Sequence, residues 1–212
     1  MMAFKIDKFI RLFKFTIFTT IILSCNIAAI AQTKLMDSLT LASYDEYSNL
    51  DSAIKNPDNV IKLVLRKKKI KSFPTIILKF KNLQYLDLSK NSIKELPDSI
   101  SKLINLQSLI LSKTGLESIP NTIGQLKNLK YINFNQNEIS RIPYSFGDLE
   151  NLEVVDFWSN NLENFPETLK KLTKLKSMDL RNILIPQNQQ DNLQTALPNT
   201  IIYFSPACKC NW

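Results

Sequence analysis

Asp87, Asp156 and Asp179 occupy the same place in a pattern that returns every 23 residues, and one period separates Asp156 from Asp179. On neighbouring parallel strands such a pair would stand about 4.8 Å apart, close enough to raise one pKa and imitate an acid/base dyad. Composition closes most other routes to catalysis. The 212 residues contain no histidine, which removes Ser-His-Asp and Cys-His nucleophile pairs and any zinc or haem site that needs an imidazole. With only three glycines in the chain, a Gly-rich phosphate-binding loop is not expected either. Cys208 and Cys210 stand in "ACKC", too few thiols for a structural zinc site. A C-x-C disulfide closes a small strained ring, so free or intermolecular thiols are an equal reading. No cofactor and no metal are expected.

Binding chemistry is better represented. Tyr85, Ile110, Tyr131, Asn133, Val154, Trp158 and Arg181 lie at the same repeating positions as the three aspartates or at their neighbours. Aromatic groups flanked by hydrogen-bonding ones are the make-up of a protein-binding hot spot, although parallel strands favour aromatic and β-branched residues on packing grounds alone. "RKKKIK", residues 66–71, is the one dense charge run. Arg66, Lys67, Lys68 and Lys69 suit an anionic surface such as lipid headgroups, a polyanionic glycan or an acidic protein; a solvated loop is the plainer reading. Nucleic acid is not expected as a partner, since no base-stacking module is visible.

The elements that position these residues follow from the repeat. The pattern opens at Val60, Leu83, Leu106, Leu129, Leu152 and Leu175, six units over residues 60–185. Each unit then places apolar residues two apart, as in Leu86 and Leu88, which is strand spacing, so the residues between them face the other way. Asn91, Asn137 and Asn160, with Thr114 standing in once, follow the third apolar position by three. An inward amide there can satisfy the backbone of the turning chain and of the next coil. Pro74, Pro97, Pro120, Pro143 and Pro166 recur in the back half, each fixing φ and ending strand pairing. An apolar pair three apart, such as Ile100 and Leu103, then predicts a short helical turn. No unit can bury its leucines until neighbours stack on it.

"LQYLDLSKNSIKELPDSISKLIN", residues 83–105, with "LPDSISKL", "IPNTIGQL", "IPYSFGDL" and "FPETLKKL", resembles the 23-residue leucine-rich repeat, bacterial exported type. The resemblance implies an α/β solenoid, with a curved parallel sheet on the concave side and short 3₁₀ or α segments on the convex side. A concave face of this kind is expected to bind a macromolecule, a protein above all, without catalysis. An open sheet lacks the enclosed pocket that an enzyme needs.

The ends depart from the pattern. Residues 32–45 read as a flexible leader and 46–59 as an N-terminal cap, where Ser48 precedes Asp51 in a capping-box-like start and Leu50, Ala53 and Ile54 share a helical face. Residues 186–212 read as a C-terminal cap and tail, with a helix from about Gln187 to Leu197 and a last strand Ile201 to Phe204. At the other extreme, Lys5, Lys8, Arg11 and Lys14 precede the apolar run Phe15 to Leu23 and the small residues Ala29 and Ala31, the make-up of a signal peptide over 1–31. The apolar stretch is short for a spanning helix. "ILSC" loosely resembles a lipobox, which would put a lipid anchor on Cys25. Beyond residue 31 the charge falls from +8 to +5, with 23 Lys+Arg against 18 Asp+Glu. The expectation is an exported protein of the periplasm, outer envelope or extracellular space, with an envelope-anchored lipoprotein of structural or adhesive role as the alternative.

Overall fold

A computed structural model describes residues 35–205. The expected signal peptide, Cys25, Cys208 and Cys210 lie outside these residues. Seven parallel strands form one sheet in sequence order: β1 (Lys62–Val64), β2 (Tyr85–Asp87), β3 (Ser108–Ile110), β4 (Tyr131–Asn133), β5 (Val154–Asp156), β6 (Ser177–Leu180) and β7 (Ile201–Phe204). The register carries the 23-residue period: Leu63 pairs with Leu86, Leu86 with Leu109, then Ile132, Val155 and Met178 in turn. Strand residues facing inward are fully buried, and their neighbours face the open side. Phe134, Phe146 and Phe157 pack against one another within the core, with ring centroids 6.2 and 5.7 Å apart. At about 1.5–3 kcal/mol per buried aliphatic or aromatic side chain, the stacking of coils dominates stability.

The return path of each coil is a proline followed by a 3₁₀ turn: Thr75–Lys79, Asp98–Lys102, Asn121–Gln125, Tyr144–Asp148 and Glu167–Lys171 begin directly after Pro74, Pro97, Pro120, Pro143 and Pro166. These turns stack closely. A Cβ on Gly124 would lie 2.2 Å from the Ser145 carbonyl oxygen, and one on Gly147 would lie 2.2 Å from that of Thr168. Only glycine allows this approach of backbone to backbone.

After each of β1 to β6 the chain reverses through a left-handed residue. Lys67, Lys90, Lys113, Gln136, Ser159 and Asn182 all have φ between +54° and +59°, a conformation unusual for non-glycine residues. The expected asparagines hold this bend. Asn137 Nδ2 donates to the carbonyls of Leu111 and Phe134 at 2.7 and 2.9 Å, while its Oδ1 accepts from the N–H groups of Thr114 and Leu116. Asn91 does the same one coil away from β1, accepting from Lys68 and Ile70 and donating to Leu65 and Leu88. A second asparagine column went unread in the sequence: Asn82, Asn105, Asn128 and Asn151 each donate to the carbonyl 24 residues earlier, at 2.7 to 2.9 Å. Its signal was the same 23-residue spacing, in the triplets preceding each opening leucine.

Both ends of the stack are covered. α2 (Leu50–Lys55) closes the first core with Ala53 fully buried, but its N-cap is Asn49, which accepts from the Ser52 N–H, rather than Ser48. Ile54, expected on the buried face, is exposed. Tyr47 extends the sheet by one rung through a parallel bridge to Leu63. At the far end α3 (Gln187–Ala196) buries Leu193, and β7 pairs with β6.

The largest departure lies in the expected leader. Residues 38–43 form a helix, α1 (Ser38–Ser43), capped by Asp37, whose carboxylate accepts from the N–H groups of Leu39 and Thr40. Leu41 is buried to 3% exposure. The segment meets residues far along the chain through Met36 and Ala42, contacts that a local pattern does not announce.

Candidate binding face of the sheet

The open face, the expected concave side, is a grid of side chains spaced by the strand separation across and by two residues along. Its floor at the N-terminal ends of β2 to β5 is a groove of about 310 Å³ lined by Tyr85, Ser108, Tyr131, Lys130, Glu153 and Val154, with Leu41 of α1 forming one wall. Tyr85, Ile110, Tyr131 and Val154 are half-buried here. The Lys62 ammonium lies 5.4 Å from the centre of the Tyr85 ring, within cation–π range. Burial pushes the Tyr85 phenol above its usual value, and the Asp87 charge adds to this.

The C-terminal ends of the same strands carry the Asp/Asn row, whose side chains are engaged within the chain. Each member caps its own strand. The carboxylate or amide oxygen of Asp87, Asn133, Asp156 and Asp179 accepts from the backbone N–H two residues on, at Ser89, Asn135, Trp158 and Arg181, over 2.9 to 3.1 Å. This is the local competition of short polar side chains for backbone donors. The second carboxylate oxygen is committed as well. Arg66 Nε donates to Asp87 Oδ2 at 2.6 Å, and Asn135 Nδ2 donates to Asp156 Oδ2 at 2.7 Å. Arg181 clamps Asp179 through Nε and Nη2.

Asp87 was expected to project outward with its neighbours, yet it is fully buried. Arg66 folds over it from the preceding coil, with the Ser89 hydroxyl beneath at 2.6 Å. The position faces the open side, but a partner would meet the guanidinium and not the carboxylate.

Asp156 and Asp179 are directly paired across β5 and β6, as the sequence spacing predicts. Their environments differ. Burial pushes the Asp156 carboxyl above the ordinary carboxylate range, against the hydrogen bonds from Trp158 and Asn135, and the Asp179 charge adds to the rise. Burial acts the same way on Asp179, but the hydrogen bonds and charge of Arg181 outweigh it and hold that carboxyl below the ordinary range. Trp158 stands half-exposed beside this pair, and Arg181 is exposed, lying 5.7 Å from the ring centre of Tyr203.

The basic run is a shaped turn. Lys67 and Lys69 both adopt left-handed backbone, Lys68 N donates to Asn91 Oδ1, and Arg66 is spent on Asp87. Lys67, Lys68 and Lys69 point into solvent. Gln107, Lys130 and Glu153, which border the groove, and the buried Gln84 bonded to Gln107 were missed in the sequence. They share one repeat position, directly after the opening leucine, and that column of polar residues was their signal.

The architecture and the comparisons agree on a class. The model of the leucine-rich repeat region matches residues 38–204, and the chain belongs to the leucine-rich repeat family. Similar solved structures include a leucine-rich repeat protein of Leptospira interrogans, 32% identical, with TM-score 0.56 over 66% of this chain and 42% of that one. Internalin C2 of Listeria monocytogenes is 23% identical, with TM-score 0.58 over 71% of this chain and 66% of its own, and shows the fold alone. The plant peptide hormone receptor RGFR1, in complex with RGF2, is 26% identical, with TM-score 0.58 over 76% of this chain and 26% of the receptor. The chain therefore spans less than half of the Leptospira protein and about a quarter of the receptor. No curated protein matches the sequence.

Proposed function

We propose that this chain is a non-catalytic scaffold that binds a protein partner on the open face of its sheet. The observation that carries the reading is the groove bordered by Tyr85, Tyr131 and Val154. These side chains are half-exposed on a face where the core makes no demand for them, whereas the acids beside them are committed to capping. Half-exposed aromatics next to polar groups anchor protein partners. The plant receptor at 26% identity, solved with RGF2, supports peptide or protein recognition by this architecture. Ile110, Asn133, Asp156, Trp158, Asp179 and Arg181 border the same face and extend the contact surface towards β6.

Against an acid/base dyad stands the hydrogen bonding of Asp156 and Asp179, in which each carboxylate oxygen already accepts from a donor of its own chain. Export through residues 1–31 is part of the same proposal, resting on the basic, apolar and small-residue succession at the N-terminus. "ILSC" favours a second reading, an envelope-anchored lipoprotein held through Cys25. The mass of the processed chain separates a lipidated Cys25 terminus from an unmodified Gln32. The exposed Lys67, Lys68 and Lys69 would add contact with an anionic surface.

Capture of partners from the envelope by the full chain, in parallel with a Tyr131→Ala, Val154→Ala and Trp158→Ala variant, tests the binding face. Circular dichroism establishes that both are folded. A discrete protein held by the first and lost by the second is the expected result; equal capture by both moves recognition off this face.

A further inference from the structure

Segment 36–43 crosses the groove edge of the first three coils and is held at three points. Met36 N–H donates to Gln84 Oε1 at 2.9 Å, and Gln107 Nε2 donates to the Met36 carbonyl at 2.9 Å, while the two side-chain amides bond to each other at 2.7 Å. Leu41 is buried against the groove. Lys62 Nζ donates to the Ala42 carbonyl at 2.8 Å. Everything else about the segment is slight. α1 has six residues, Leu39 is 85% exposed, and Leu41 is its one buried side chain. Gln84 and Gln107 beneath it are 0% and 2% exposed.

We propose that Met36–Ser43 is a displaceable strap, a resident stand-in for the partner, and that the partner is a polypeptide segment, extended at its first residue and helical beyond it as the strap is, that replaces it on Gln84, Gln107 and Lys62. The inference rests on the reading of this face as the recognition surface. The chemistry is that of backbone recognition. One acceptor, Gln84 Oε1, and one donor, Gln107 Nε2, stand side by side and match the N–H and C=O of a single extended residue, as a sheet edge does. They read no side chain at that point. Selectivity comes from the slot that takes Leu41, which suits an aliphatic side chain five residues on, and from Lys62, which seeks a carbonyl or carboxylate oxygen. A partner segment therefore needs a free backbone N–H, an aliphatic residue downstream and an acceptor after it.

A short helix with one buried side chain belongs to the least stable part of a fold. The strap is joined by residues 44–46 to Tyr47, which bridges to Leu63 of β1, and this gives it a high effective concentration at the groove. It thus competes with weak ligands and yields to those that also engage Tyr131 and Trp158. Binding is gated by the partner's ability to make those further contacts.

The test uses the full chain, a Leu41→Asp variant that releases the strap, and a synthetic N-acetylated peptide of residues 36–44, whose Met36 nitrogen is an amide as in the chain, with the side-chain amide resonances of Gln84 and Gln107 as readout. In Leu41→Asp these resonances shift away from their wild-type positions, and added peptide restores them. The wild-type chain binds the same peptide at least tenfold more weakly. A peptide N-methylated at Met36 lacks the hydrogen donated to Gln84 and binds the variant at least tenfold more weakly than its parent; this control cannot perturb the fold. Resonances that stay unmoved in Leu41→Asp overturn the strap, as does equal peptide binding by both chains or a methylated peptide that binds as well as its parent. If these fail while partner capture still depends on Tyr131 and Trp158, the strap falls and the binding face stands. If capture ignores those residues, the face itself falls.

Discussion

Asp87 at the second coil and Asp156 and Asp179 at the fifth and sixth share a repeat position and a backbone-capping bond, yet they differ in exposure and in the side chain that meets the carboxylate. Asp87 is fully buried under Arg66 from the coil before it. The residue in the Arg66 position ahead of Asp156 is Asn135, a neutral donor, and burial then drives that carboxyl up. Ahead of Asp179 the position is Trp158, and Arg181 of the same coil supplies the cation instead. In this stacked repeat, the electrostatics of one position are written by whichever side chain reaches it, 21 places earlier for Asp87 and Asp156 and two places later for Asp179.

Removing the donors one at a time sharpens this comparison. Arg66→Ala leaves a buried carboxylate without its cation, and the expected loss is about 2–3 kcal/mol in urea unfolding. Adding Asp87→Asn recovers part of it, because the amide oxygen still caps Ser89 while the buried charge is gone. Asn135→Ala removes one neutral bond from a half-exposed carboxylate, and about 1 kcal/mol is expected. Arg181→Ala breaks a pair whose cation is solvent-exposed, and it should cost less than Arg66→Ala, because solvent screens such a pair. Equal losses from Arg66→Ala and Arg181→Ala would show that the second coil is no different from the sixth.

The smallest effect is one of pH. Asp156 binds a proton more readily folded than unfolded, so its contribution to stability is fully present below the ordinary carboxylate range and is lost as pH rises through its raised folded value. Asp179 behaves in the opposite sense: its contribution is present above that range and is lost as pH falls through its lowered folded value. Carboxyl NMR titration should place Asp156 above Asp179. In Arg181→Ala the Asp179 value should rise and the separation shrink. An unchanged separation would mean that Arg181 is not what holds Asp179 down.

The two asparagine columns show how legibility depended on the question asked. Asn91, Asn137 and Asn160 were readable because their position follows a strand and faces the core, where a buried amide must serve the backbone. Asn82, Asn105, Asn128 and Asn151 repeat just as regularly, but they lie on the partly exposed return path, where a polar residue needs no explanation. The binding face divides in the same way. Tyr85, Ile110, Tyr131 and Val154 were placed on the open side by strand alternation alone, and they stand there. Alternation gives direction and not depth, so the cover that Arg66 throws over Asp87 escaped it.

The period of 23, the alternating leucines and the recurring asparagine and proline were enough to determine a parallel sheet in sequence order and its register, because each is a contact between residues one coil apart that every coil repeats. Tertiary structure alone decided which acids are buried, how two acids in one row come to titrate in opposite directions, and that residues 36–43 lie against Gln84 and Gln107. Those outcomes depend on single side chains that meet across coils without repetition, and a periodic signal carries no information about contacts made once.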